Sequence, residues 1–140
     1  MGKLVRLVTA GVGVAVLGAL VLSRTAAADL VEHHGAIAHS DAPGHWGHAF
    51  VGDQATEKAA AEKAVANCQI NVGPGNNCHL VLHWHNACGA IAESDDKQSH
   101  GWGTGGDRKA AEKHALDACI GSGGPGTGSC KIRDTGCTGI

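Results

Sequence analysis

The sequence predicts an α+β domain. Two pseudo-symmetric copies of a strand-strand-helix-strand unit form a mostly antiparallel sheet, stabilised by disulfides. Three observations lead there. The first is an internal repeat: Gly35-Ala36-Ile37-Ala38 returns as Gly89-Ala90-Ile91-Ala92, Trp46-Gly47 as Trp102-Gly103, and Gly73-Pro74-Gly75 as Gly124-Pro125-Gly126. Residues 56–68 align without a gap onto 107–119, with Lys58, Ala59, Ala60, Ala64 and Cys68 matched by Lys109, Ala110, Ala111, Ala115 and Cys119. The second is periodicity, which switches within each copy from alternation to a spacing of four. The third is a shortage of bulky apolar side chains, with 3 Trp, 1 Phe and no Tyr, beside 6 Cys.

Residues 1–28 read as an export signal. Lys3 and Arg6 make a positive start, residues 7–22 are almost wholly apolar, and Ala26-Ala27-Ala28 supplies a small-residue cleavage site. The apolar run is shorter than the ~20 residues a spanning helix needs. Residues 29–140 then form one domain, with copies at about 33–86 and 87–137. Without Lys3, Arg6 and Arg24, eight basic residues face 13 acidic ones, a net charge of −5 with His neutral. Such a surface argues against nucleic acid as a partner, which needs a basic face to neutralise its phosphates.

Residues 33–40 alternate as a strand, with Gly35, Ile37 and His39 on one face and Ala36, Ala38 and Ser40 on the other. Asp41-Ala42-Pro43-Gly44 is a turn, and residues 45–51 a second strand. Residues 56–68 form a helix capped by Thr56, whose apolar stripe is Ala60, Ala64 and Cys68 joined by Ala61 and Val65. The second helix repeats this with Asp107 as cap, whose charge suits the helix dipole, and a stripe of Ala111, Ala115, Leu116 and Cys119. Small stripes let each helix lie close to a sheet. Residues 78–85 are the clearest strand: strict alternation puts Cys78, Leu80, Leu82 and Trp84 on one face and His79, Val81, His83 and His85 on the other. Its counterpart, 130–133, is shorter.

A domain this size with so little large apolar area is marginal on burial alone. Six Cys in an exported chain therefore read as three disulfides. Pairing equivalent positions gives Cys68–Cys78, Cys119–Cys130 and Cys88–Cys137, the last expected to clasp the two copies; Cys68–Cys119 is the competing pairing. Loop-closure entropy assigns roughly 3 kcal/mol to each short bridge and about 4 to the long one.

The set Gly-Ala-Ile-Ala, Trp-Gly, an Ala-rich helix ending in Cys, a Cys opening a strand, and Asn86-x-Cys88-Gly-Ala-Ile-Ala resembles the bacterial family called domain of unknown function 4189. Small secreted actinobacterial proteins are among its members, and the resemblance covers roughly residues 34–137. It implies a secreted disulfide-bearing domain and brings no established catalytic residues. His83 and His85 stand where other polar residues are more usual in that family, so a role for them lies outside what the resemblance suggests.

All 10 His fall after residue 28. His79, His83 and His85 are the candidate metal ligands, since imidazoles two apart on a strand face suit Zn²⁺ or Cu²⁺. His33, His34 and His39 add to them if the strands are neighbours. The bland alternative is an exposed polar face, and aligning the copies pairs no His with another. A second hypothesis is pH response: protonating all ten would carry the net charge from −5 to +5 and switch binding to anionic membranes or partners. Gly101-x-Gly103-x-x-Gly106 imitates a dinucleotide fingerprint, but Asp107 stands where the pyrophosphate would lie. Asp95-Asp96 reads as a turn, and Cys88 as a disulfide partner rather than a nucleophile. The expected function is thus a secreted, non-enzymatic binding domain for an unknown protein or envelope component, with no cofactor. The alternatives are a His-dependent metal-binding or pH-responsive module and, third, an enzyme of unidentified type.

Overall fold

The computed structural model describes residues 32–43, 47–124 and 126–139; residues 1–28, read above as an export signal, and Trp46 lie outside the described residues. The first unit comprises β1 (His34–Ser40), β2 (Gly47–Gln54), α1 (Glu57–Val72) and β3 (His79–His85). The second comprises β4 (Cys88–Glu93), β5 (His100–Gly105), α2 (Arg108–Gly121), a short 3-10 turn (Thr127–Ser129) and β6 (Lys131–Cys137). The antiparallel strands divide into two three-stranded sheets, ordered β2-β1-β3 and β5-β4-β6, so each unit owns one sheet with its first strand in the centre.

Both predicted caps form. The Thr56 hydroxyl accepts from the Ala59 amide at 3.1 Å, and the Asp107 carboxylate from the Ala110 amide at 2.8 Å. Beyond its predicted end α1 runs on to Val72 and stops at Gly73, whose φ of +90° favours glycine. Ala60, Ala64 and Cys68 bury against Ala36, Ala38, Ala49 and Val51, while Ala111, Ala115 and Cys119 bury against Cys88, Ala90 and Ala92. The α2 contact is closer still. A Cβ at Gly101, Gly103 or Gly105 would lie within 2.2–2.5 Å of atoms of α2, so two of the three supposed dinucleotide glycines, Gly101 and Gly103, seat that helix, while Gly106 has nothing within 4 Å.

The inward faces of the sheets meet over Ile37, Trp84 and Ile91, with Phe50 and Leu82 beside them. The Trp84 ring lies over Gly35 and Gly89, where a Cβ would come within 2.2 and 2.4 Å of it. The layers therefore run α1, sheet, sheet, α2. This packing, rather than a disulfide, joins the units. Cys68–Cys78 and Cys119–Cys130 each tie a helix end to the following strand. Cys88–Cys137 links directly opposed residues of β4 and β6 in one sheet. It does not clasp the two copies as the sequence reading expects, because β4 starts the second unit and Cys88 is already inside it.

Two register details correct the sequence reading. A bulge at Val81 interrupts β3, since Ile37 pairs with Leu82 and Ala38 with Leu80. One extra residue reverses the faces beyond it: Leu82 and Trp84 point to the opposite sheet, whereas Cys78 packs in the α1 cluster. The equivalent of Trp102 is Phe50, because Ile91 pairs with Trp102 and Ile37 with Phe50. The Trp-Gly alignment is out of register. By the same pairing His48 is equivalent to His100, so one His does recur in both copies.

Candidate functional site

Pairing of β1 with β3 brings three imidazoles together. His34 pairs with His85 and Ala36 with His83; Ala36 faces α1, so all three His share that outer side. The His34 ring stacks on His83 at 5.5 Å and on His85 at 5.0 Å between centroids. Glu32, just before β1, turns its carboxylate back onto the pair, 3.2 Å from His34 Nε2 and 3.7 Å from His85 Nε2. One ligand atom from each of Glu32, His34 and His85 lies within 4.8 Å of the others.

The surroundings orient these groups. His34 Nδ1 lies 3.2 Å from His83 Nε2, and His83 Nδ1 faces the Glu57 carboxylate at 3.7 Å. With the His83 proton on Nδ1, toward Glu57, Nε2 accepts from His34 Nδ1–H. The His34 Nε2 lone pair then points at Glu32. Asn86 takes the His33 amide on its Oδ1 at 3.2 Å and aims Nδ2 at His85 Nε2, 3.0 Å away. The His34 Nε2 lone pair and the Glu32 carboxylate thus converge. A cation between them gains His85 Nε2 as a third ligand when it displaces the Asn86 amide that donates to that nitrogen. Neutral imidazole and carboxylate suit borderline transition metals, and an outer hydrogen bond to a ligating His is the usual way its tautomer is set.

Of the residues singled out from sequence, His83 and His85 come together here and His79 does not. The bulge puts His79 on the other face, opposite His39, about 20 Å along the strand from His85. Its Nδ1 meets the Asn77 carbonyl at 3.1 Å. Glu32 was missed altogether. A carboxylate two residues before His34 was the available signal.

A family model described as a domain of unknown function, DUF4189, matches residues 34–137. The chain belongs to this family. No curated protein and no solved structure matches it. The family description assigns no activity, so any role for this DUF4189 domain rests on its own geometry.

That geometry includes a second polar group, between the sheets at the other end of the DUF4189 domain. His39, 2 % exposed, touches His100 with ring centroids 4.3 Å apart and gives its Nδ1–H to the Gly47 carbonyl at 3.0 Å. Its Nε2 is buried without a hydrogen-bond partner among the described residues. Burial, then His100, lowers the His39 pKa to about 4 against the opposing pull of Glu93. Burial raises Glu93, but His48 at 3.4 Å, His39 and Arg133 outweigh it and hold the carboxyl below its ordinary range. His39 therefore drops out of any charge reversal in mild acid. The adjacent acids have ordinary roles: Asp95 pairs with Lys131 and Arg133, and Asp96 accepts from the Gln98 amide. Cys88 is oxidised and offers no nucleophile. Outside, an open trough of about 330 Å³ runs along β2 and α1, lined by His48, Phe50, Asn67, Ile70 and Asp134 among others.

Proposed function

We propose that this domain is exported and acts outside the cytoplasm as a non-enzymatic binding module. Its best-supported ligand is a borderline transition-metal ion, Zn²⁺ or Cu²⁺, held by Glu32, His34 and His85. The convergence of those three ligand atoms within 4.8 Å carries the reading. Export is supported by the leader-like residues 1–28 and by the pairing of all six Cys, a state that persists in oxidising compartments. His83, set between His34 and Glu57, is a positioning residue.

Calorimetric titration of untagged, oxidised protein with ZnCl₂ or CuSO₄ tests the reading. The expected dissociation constant is micromolar or tighter. His34→Ala and His85→Ala weaken it at least tenfold, His83→Ala about tenfold, and His79→Ala leaves it unchanged. Affinity no tighter than millimolar in the unaltered protein ends the proposal.

A second reading is favoured by the number of His–carboxylate contacts, among them His33–Asp53, His48–Glu93 and His83–Glu57. Imidazole is the side chain whose charge changes in mild acid, so a His-rich surface becomes more positive there and attaches to anionic membranes. Vesicles of anionic lipid that retain the same amount of protein at pH 7.5 and pH 5 would rule it out.

A further inference from the structure

The two units place different chemistry at one and the same structural position. Counting back from the shared Gly-Ala-Ile-Ala, His34 is the equivalent of Cys88. Each central strand pairs with the last strand of its own unit, and each pairing shifts register at the same step, between Ile37 and Ala38 and between Ile91 and Ala92. Past those bulges His34 lies opposite His85, and Cys88 opposite Cys137. The hydrogen bond just beyond the pair repeats as well. The Asn86 amide donates to the His33 carbonyl at 3.0 Å, and the Thr138 amide to the Ala87 carbonyl at 2.8 Å. The His34–His85 pair therefore occupies the position of the Cys88–Cys137 disulfide. The second unit has a covalent cross-strand link there. The first has two imidazoles with a carboxylate turned onto them.

We propose that a divalent transition-metal ion bridging His34 and His85, with Glu32 as third ligand, is the first unit's counterpart of the Cys88–Cys137 disulfide. It rests on the metal-binding reading above and adds to it a role for the ion. The ion fastens the open end of β1 to the end of β3, where the chain crosses into the second unit, and draws the Glu32 segment onto the sheet. Binding free energy then becomes folding free energy, because the unfolded chain does not hold the three ligands together. A metal link at this place is reversible where the disulfide is not, so the stability of the first unit follows the free metal concentration.

Thermal unfolding of the oxidised protein with EDTA and with Zn²⁺, together with amide hydrogen exchange in both states, tests this. At a hundredfold excess of Zn²⁺ over its dissociation constant the midpoint rises by about 10 °C. Protection increases in residues 32–36 and 82–86 and stays unchanged in β4 and β6. The double variant His34→Cys/His85→Cys oxidises to a fourth disulfide, matches the zinc-loaded protein in EDTA, and no longer responds to Zn²⁺. Binding of Zn²⁺ by calorimetry with no change in midpoint or protection sinks the fastening role and leaves metal binding standing. No binding by calorimetry sinks both. A folded double variant whose new thiols stay reduced under air overturns the structural equivalence, and the exchange measurement on the unaltered protein decides the matter where that variant does not fold.

Discussion

His39 shows how a single residue takes its properties from its neighbours. Its folded pKa of about 4 lies below the 6.5 of an unperturbed imidazole. As the pH falls, the unfolded chain takes up this proton first, so His39 withdraws stability from pH 6.5 down to about 4. The full loss is on the order of 3 kcal/mol. Glu93, with its carboxyl held below the ordinary range, contributes stability that is lost only as the pH falls through its own lowered pKa. Urea unfolding at a series of pH values should show the drop in the His39 window. His39→Asn, which keeps a donor for the Gly47 carbonyl, should flatten it. A glycine pair isolates steric effects in the same way. At Gly103 a Cβ would meet His114 Cβ at 2.4 Å and the Ala115 backbone nitrogen at 2.6 Å, whereas nothing lies within 4 Å at Gly106. Gly103→Ala is expected to cost about 3 kcal/mol and Gly106→Ala close to nothing, by the same unfolding measurement.

At the scale of elements, the helices were legible in the sequence and the strand registers were not. A helix announces itself locally, through a cap at Thr56 or Asp107 and an Ala stripe spaced by four. Register depends on which strand lies alongside, and the Val81 bulge has no marker in its own residue type. That single insertion separated His79 from His83 and His85 and so reduced the predicted site to two of its three members. His34 on β1 and Glu32 just before it completed the group. The short bridges are also element-scale devices. Cys68–Cys78 anchors the end of α1 to the start of β3 across the Gly-Pro-Gly turn. Cys68→Ala/Cys78→Ala is expected to lose roughly 3 kcal/mol, read as a lowered urea midpoint.

For the whole molecule, the join between the units centres on one large side chain over two glycines, with Ile37, Ile91 and Phe50 packed around it. Trp84, 3 % exposed, covers Gly35 of one sheet and Gly89 of the other. Trp84→Ala is expected to cost 3–5 kcal/mol on the usual scale for a buried aromatic, and to split one cooperative thermal transition into two as the sheets uncouple. Among the described residues, apart from Trp84 and the pair Ile37 and Ile91, the buried apolar side chains are no larger than Val. The disulfides therefore carry much of the stability. Strong reductant should lower the melting temperature well beyond experimental error, and equal heat resistance with and without it would refute this account.

The sequence by itself determined the duplication, the caps and the buried stripes, and narrowed the cysteine pairing to the observed set and one competitor. Each is written in local spacing or in comparison of the copies. Only the tertiary structure decided that the strands form two sheets, that Cys88–Cys137 closes one unit, and that His34 and His85 stand where a disulfide stands in the other. Those facts depend on which backbone lies beside which, and a pattern along one strand does not contain its neighbour.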